Sequence, residues 1–108
     1  MNKTLNTLGL CKFAGKISYG ETLLKDIKNK KVYLVVVASD ASDNSKKKVM
    51  DKCNFYKCEC VVCLDKISIT KSIGRDDLVS AVGIKDYNLS KKFKENIERD
   101  GGNHEEKQ

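Results

Sequence analysis

Val32 to Ala38 is a near-continuous apolar run, with no polar position between Val35 and Ala38. An apolar run without alternation marks a strand covered on both faces. It stops at Ser39-Asp40-Ala41-Ser42-Asp43-Asn44, a cluster of short polar residues that turn and cap. Ser45-Lys46-Lys47-Lys48-Val49-Met50 then resumes at helical spacing. Ligands of open α/β sheets sit beyond the carboxyl ends of strands, so the Asp40 loop is the first place to look for function.

The pattern on either side predicts the remaining elements. Thr4 or Asn6 caps a first helix holding Leu5, Leu8, Leu10, Phe13 and Ala14, and Gly15 stops it. Lys16 to Tyr19 is long enough only for an edge strand or a link. Gly20-Glu21 opens a second helix with Leu23, Leu24 and Ile27 on one side, and Lys25, Lys28, Lys30 and Lys31 on the other side and at its end. The third helix runs to about Asn54, with Val49, Met50 and Cys53 on its apolar face. Cys58 to Leu64 reads as a strand. Asp65 caps a fourth helix carrying Ile67, Thr70 and Ile73, ended by Gly74, and Leu78 to Ile84 reads as the last strand. Leu89, Phe93 and Ile97, each four apart, mark a closing helix.

Alternating helices and strands predict an α/β fold, a three-layer α/β/α sandwich on a four-stranded sheet. The sheet is expected to be mixed, because some crossovers are too short for every neighbouring pair to be parallel. Residues 1–98 make one domain, and the polar, glycine-containing stretch 99–108 reads as a disordered tail.

Charge sharpens this picture. The net charge is +6 and the pI about 9.1. In the last ten residues Arg99 and Lys107 stand against Asp100, Glu105 and Glu106, so residues 1–98 carry +7. Such an excess favours polyanions, nucleic acid first and an anionic membrane surface second; a basic surface kept for solubility accounts for it equally simply. No segment approaches the roughly 20 apolar residues of a membrane span, and no apolar stretch follows Lys3 as in an export signal. Five cysteines without such a signal read as reduced thiols, which predicts a cytoplasmic protein with no membrane partner.

Three groups of residues are candidates for chemistry. Lys12, Lys16, Lys25, Lys28, Lys30 and Lys31 face only Glu21 and Asp26 across residues 11–31, and Lys46, Lys47, Lys48 and Lys52 follow the central strand. Lysines at a helix start oppose the helix dipole, so phosphates explain Lys46 to Lys48 better than helix stability does. The alternative is a solvated face. In the turn Gly15 to Glu21, Gly20 lets a backbone or base approach a helix N-terminus. Glu21 either accepts hydrogen bonds from a guanine edge or cytosine amine, or is a plain first-turn acid.

The third group is Cys53, Cys58, Cys60 and Cys63, a C-x4-C-x-C-x2-C cluster. Four thiolates suit tetrahedral zinc, yet Cys60 and Cys63 share one predicted strand with opposite parity and point to opposite faces. Small apolar fillers are the simpler reading, with no metal and no cofactor. For catalysis the single histidine, His104, lies in the tail, and Asp40 and Asp43 read as caps. No Walker loop or G-x-G-x-x-G is present, and the chain reads as a non-enzyme.

Gly15-Lys16, Gly20-Glu21, Ala38-Ser39-Asp40-Ala41-Ser42, Ser45-Lys46-Lys47-Lys48 and Asp51-Lys52-Cys53-Asn54 together, in order, carry a resemblance. The chain resembles the bacterial YlxQ-type proteins of the ribosomal protein seven-Ae and thirty-e superfamily, which binds kink-turn RNA, from about Leu8 to Phe93. The resemblance implies an α/β/α sandwich and RNA gripped by three parts: the start of the second helix, the loop after the central strand and the loop before the last strand. Carried over, these are Lys16, Tyr19, Gly20, Glu21, Thr22 and Lys25; Asp40, Ala41 and Ser42; and Arg75 to Val79, with Lys46, Lys47 and Lys48 neutralising phosphates. The family's usual helix start, Gly-x-Asn-Glu-x-x-Lys, is replaced here by Gly20-Glu21-Thr22-Leu23-Leu24-Lys25, and Asp76-Asp77 stand where binders carry neutral or basic residues. The implied function is a monomeric, non-enzymatic binder of structured RNA, ribosomal RNA included. A protein-interaction module on the same scaffold is the alternative, and a zinc or redox role for the cysteines a third.

Overall fold

In the computed structural model, which describes residues 3–99, five helices and four strands alternate. They are α1 (Lys3–Phe13), β1 (Ile17–Tyr19), α2 (Gly20–Lys28), β2 (Leu34–Val37), α3 (Asp43–Phe55), β3 (Cys60–Val62), α4 (Lys66–Ser72), β4 (Ala81–Ile84) and α5 (Tyr87–Arg99). The expected tail beyond Arg99, with His104, lies outside the described residues.

The sheet has the order β1-β4-β2-β3. β2 runs parallel to β3, while β4 is antiparallel to both β2 and β1, so the sheet is mixed as its short connections require. Inner strands β2 and β4 are buried along their whole length. α2 and α3 pack together on one side of the sheet, and α1, α4 and α5 pack together on the other. The core they enclose centres on Val35, Val36, Val37 and Val82, with Leu23, Ile27, Ile73 and Phe93 pressed against the sheet from the helices.

Gly83 in β4 sets the spacing of the α2 layer. A Cβ there would stand 2.6 Å from Leu23 Cδ1 and 2.9 Å from Val32 Cγ1, so α2 approaches the sheet as closely as it does because no side chain intervenes. Beneath α2, buried Asp26 accepts a hydrogen bond from Ser18 Oγ at 2.8 Å and pairs with Lys85 Nζ at 3.7 Å, tying α2 to β1 and to the end of β4. A buried carboxylate needs such partners to offset the water it loses.

Several expected positions differ. Leu10 and Phe13 are 52% and 92% exposed, and α1 instead buries Thr4, Thr7, Leu8 and Cys11. Asn96 Nδ2 donates to Thr7 Oγ1 at 2.6 Å, so a polar pair joins α1 to α5. In α4, Ile67 is 56% exposed, and Ile69 joins Thr70 and Ile73 on the buried side. Met50, expected on the apolar face of α3, is largely exposed. The strands are shorter than their apolar runs: Val32 and Ala38 lie outside β2, and Leu78 and Val79 outside β4. α3 begins at Asp43, because Ser42 accepts from the Ser45 N–H at 3.2 Å and caps it. No helix among the described residues is long and apolar enough to cross a membrane.

Candidate functional site

A cleft with a volume of about 460 Å³ opens beyond the carboxyl end of β2, between α2, α3 and the loop that enters β4. Three separate stretches of sequence line it: Tyr19 to Leu24, Ser45 to Val49, and Arg75 to Ala81. They meet because Val37, the last residue of β2, pairs with Ala81, and Val82 pairs with Tyr19. The end of β1, the start of β4 and the carboxyl end of β2 are thereby held at one end of the sheet.

The start of α2 is open toward this cleft. Its cap residue, Tyr19, is extended and supplies no side-chain acceptor, so the first N–H groups of the helix keep their capacity for an outside acceptor. Gly20 has φ 67°, the left-handed region, with nothing within 4 Å of the position a Cβ would take. Here backbone conformation, not crowding, demands glycine. Glu21 stands in the first turn at the cleft wall.

Against this helix start the guanidinium of Arg75 lies 5.2 Å from the centroid of the Tyr19 ring and pairs with Asp77 at 3.7 Å. Leu78 is 60% exposed at the rim, and Leu23, Leu24, Val49, Val79 and Ala81 give the cleft apolar walls. Its charged residues are Lys48 and Arg75 against Glu21 and Asp77, so the cleft itself is balanced. The positive excess of the chain lies outside its lining.

Of the residues predicted from sequence, Tyr19, Gly20, Glu21, Lys48, Arg75 and Val79 line the cleft. Lys16, Thr22, Lys25, Lys46 and Lys47 stand outside its lining, Lys46 partly buried and the others exposed, and Lys47 pairs with Asp51 at 3.5 Å. The loop residues Asp40, Ala41 and Ser42 are engaged elsewhere. Asp40 Oδ1 accepts the Lys66 N–H at 2.9 Å, Ala41 is buried, and Ser42 caps α3. Ser39 binds the Leu64 carbonyl through its N–H at 2.9 Å and its hydroxyl at 2.5 Å. The loop is thus fastened to the β3–α4 connection, on the far side of β2 from the cleft.

Asp77 and Leu78, inside the predicted loop Arg75 to Val79, line the cleft too, as do Leu23, Leu24, Ser45, Val49, Ser80 and Ala81, which were not predicted as site residues. Leu78-Val79 reads in sequence as a strand start, and the one available signal was an apolar residue following two aspartates in a connection.

The cysteines divide. Cys11 and Cys53 are buried, as apolar fillers are. Burial, with Asp86 nearby, pushes the Cys11 thiol up to about 11. Cys58, Cys60 and Cys63 are only half-buried, because β3 is an edge strand. Among the described residues no group of three or more His, Cys, Asp or Glu is arranged to hold a metal ion.

Comparison with known proteins places this geometry. The model of the ribosomal protein L7Ae/L30e/S12e/Gadd45 family matches residues 2–94. A protein of Enterococcus faecium named RNA-binding protein YlxQ is 44% identical over 97 residues, 89% of this chain and 92% of that protein. Its namesake in Bacillus subtilis is 38% identical over 87 residues, 80% of this chain and 86% of its own. A solved structure of a protein of unknown function from Bacillus halodurans superposes with a TM-score of 0.83 at 33% identity, covering 91% of this chain and 99% of that one. A Giardia lamblia 15.5kD RNA binding protein superposes with a TM-score of 0.72 at 19% identity, covering 91% and 84%, a likeness of fold alone. Matched by the family model over nearly its whole length and by relatives well above a third identical, the chain belongs to the ribosomal protein L7Ae/L30e/S12e/Gadd45 family.

Proposed function

We propose that the chain is a non-enzymatic, monomeric, cytoplasmic RNA-binding protein that grips a kinked, structured RNA, ribosomal RNA included, at the cleft between α2, α3 and the α4–β4 loop. The observation that carries the reading is the meeting of an uncapped helix start, an apolar-walled cleft and two cations, Lys48 and Arg75, at one end of the sheet. Unstacked bases of a bend suit apolar and aromatic surfaces, and the Watson–Crick edges they expose suit an acceptor such as Glu21 and the free N–H groups of α2. Lys48 and Arg75 neutralise the adjoining phosphates, with Lys16, Lys25, Lys46 and Lys47 extending the basic surface around the cleft. The names of the Enterococcus and Bacillus relatives support the same partner.

The Asp40 loop has a different part in this reading. Its side chains hold the β2–α3 and β3–α4 connections together, so it positions α3 and Lys48 instead of reading bases.

A titration against a kink-turn RNA and an unkinked duplex of matched length, at two salt concentrations, tests the proposal. Tight binding to the kinked RNA alone is the expected result. Equal, salt-sensitive binding to both would leave a general polyanion binder, and no binding to either would shift the reading to a protein partner docking on the apolar rim at Leu78.

A further inference from the structure

We propose that Cys53 and Cys58 form a dithiol that a hydroperoxide oxidises to a disulfide across the end of α3, with Cys60 as a third thiol on the same pocket. This goes beyond the RNA reading and does not depend on it.

The backbone carries the geometry. α3 ends in a six-residue turn in which the Cys58 N–H donates to the Cys53 carbonyl at 2.8 Å and the Lys57 N–H to the Asn54 carbonyl at 3.4 Å. Lys57, at φ 59°, is the left-handed residue that turns the chain back. With standard bond lengths on either side of the 2.8 Å contact, the two Cα atoms are at most about 6.7 Å apart. That is inside the range a disulfide spans, about 4.4–6.8 Å. Such a turn commonly brings an apolar pair together at these two positions, and here the pair consists of two thiols.

Their surroundings suit the reaction. Cys53, Cys58 and Cys60 line one open pocket with Met50, Asp51 and Asn54, so a small oxidant reaches the half-buried Cys58 and Cys60 from solvent, with buried Cys53 behind them. Hydrogen bonding with Cys58, and next with Cys60, together with burial, pushes the Cys53 thiol up. The same bonds pull Cys58 and Cys60 below the ordinary thiol range, against the burial that raises them. As a thiol Cys58 donates to the Val32 carbonyl at 3.6 Å, a contact it gives up on ionising.

The Cys58 thiolate attacks one peroxide oxygen. The S–O bond forms, the O–O bond breaks, and the leaving alkoxide or hydroxide takes up a proton. Cys53, now deprotonated, attacks the sulfenic sulfur; the S–S bond forms, and the departing hydroxide leaves as water. Two thiols are oxidised, one hydroperoxide is reduced, and both thiol protons end in the alcohol or water released. The loop so closed is short, so the oxidised protein keeps its fold with little gain in stability.

The test is peptide mapping of the full chain after treatment with hydrogen peroxide, without reductant. Trypsin cleaves after Lys52 and Lys57, separating Cys53 from the other thiols of the pocket. The expected product is peptide 53–57 joined to peptide 58–66, with the protein lighter by two hydrogen atoms. The link survives in Cys60→Ser and Cys63→Ser and is lost in Cys58→Ser, while Cys53→Ser halts at a sulfenic acid on Cys58 that dimedone traps. A wild-type chain whose peptides 53–57 and 58–66 stay separate overturns the proposal, and so does a link that persists in Cys58→Ser.

Discussion

The guanidinium of Arg75, in the connection that follows α4, lies 5.2 Å from the centre of the Tyr19 ring at the end of β1. Residues more than fifty positions apart in sequence thus form one wall of the cleft, and the aromatic face holds a cation at its surface. Asp77, paired with the same guanidinium at 3.7 Å and itself mostly exposed, competes for that cation.

Replacing Arg75 with methionine keeps a long side chain over Tyr19 and removes the charge. We expect RNA affinity to fall several-fold and the slope of log affinity against log salt to become shallower by about 1. Asp77→Asn is expected to act in the opposite sense and tighten binding, because it releases Arg75 and removes a negative charge from the rim. Fluorescence anisotropy at four salt concentrations measures both; an unchanged slope in Arg75→Met would separate this residue from the RNA.

Lys47 and Lys48 are neighbours in sequence with different positions. Lys48 lines the cleft, whereas Lys47 pairs with Asp51 one turn along α3 at 3.5 Å. Lys48→Ala should therefore weaken RNA binding more than Lys47→Ala, and each should lower the melting temperature by no more than a few degrees, since an exposed pair such as Lys47–Asp51 contributes about 0–1 kcal/mol. Replacing Lys46, Lys47 and Lys48 together should reduce the salt slope further than Lys48→Ala alone.

The architecture was legible where pattern and local chemistry coincide. The unalternating run at Val35 to Ala38 marks an inner strand, and Gly15 and Gly74 mark the ends of α1 and α4. Other ends carried no such mark. α2 and α3 turn back through Lys30 and Lys57 at positive φ, positions where tertiary packing overrides a preference that sequence reading relies on. The exposed Phe13 and Ile67 misled for a related reason: periodicity shows that a helix has an apolar side, while the neighbour that covers it is decided by topology. The cleft was half legible. Tyr19, Gly20 and Glu21 adjoin a conspicuous turn, but Leu24, Val49 and Ala81 become wall residues only when β1, β2 and β4 meet at one end of the sheet.

Gly83→Ala tests how closely α2 must approach the sheet. The added methyl would meet Leu23 Cδ1 at 2.6 Å and Val32 Cγ1 at 2.9 Å, below ordinary contact distance. Relief requires α2 to move outward or both side chains to leave their rotamers, at a cost of about 1–3 kcal/mol. The expected result is a lower urea midpoint. Because Glu21 and the start of α2 ride on that helix, RNA affinity should fall even at temperatures where the variant is fully folded.

Two carboxylates from different parts of the chain serve the start of α4. Asp65 Oδ2 accepts the Ser68 N–H at 3.1 Å, and Asp40 Oδ1 accepts the Lys66 N–H at 2.9 Å. Hydrogen bonds from the Ser68 side chain and backbone hold Asp65 below the usual carboxylate range. A carboxyl depressed by folding stabilises the native state at every pH above its unfolded value, and that contribution is lost as pH falls through the folded one. Asp65→Ala is therefore expected to lose about 1 kcal/mol at neutral pH, the ordinary worth of an N-cap, and to approach the wild type as pH falls through the lowered folded value of Asp65. Asp65→Asn retains an acceptor that does not titrate, so its stability should fall less steeply on acidification. Asp40→Ala removes a bond between two connections as well as a helix-start acceptor, and should lower RNA affinity along with stability by loosening the loop that leads into α3. Urea unfolding from pH 7 to pH 2 checks all three; a gap between Asp65→Ala and wild type that stays constant across that range would show that Asp65 acts through something other than its charge.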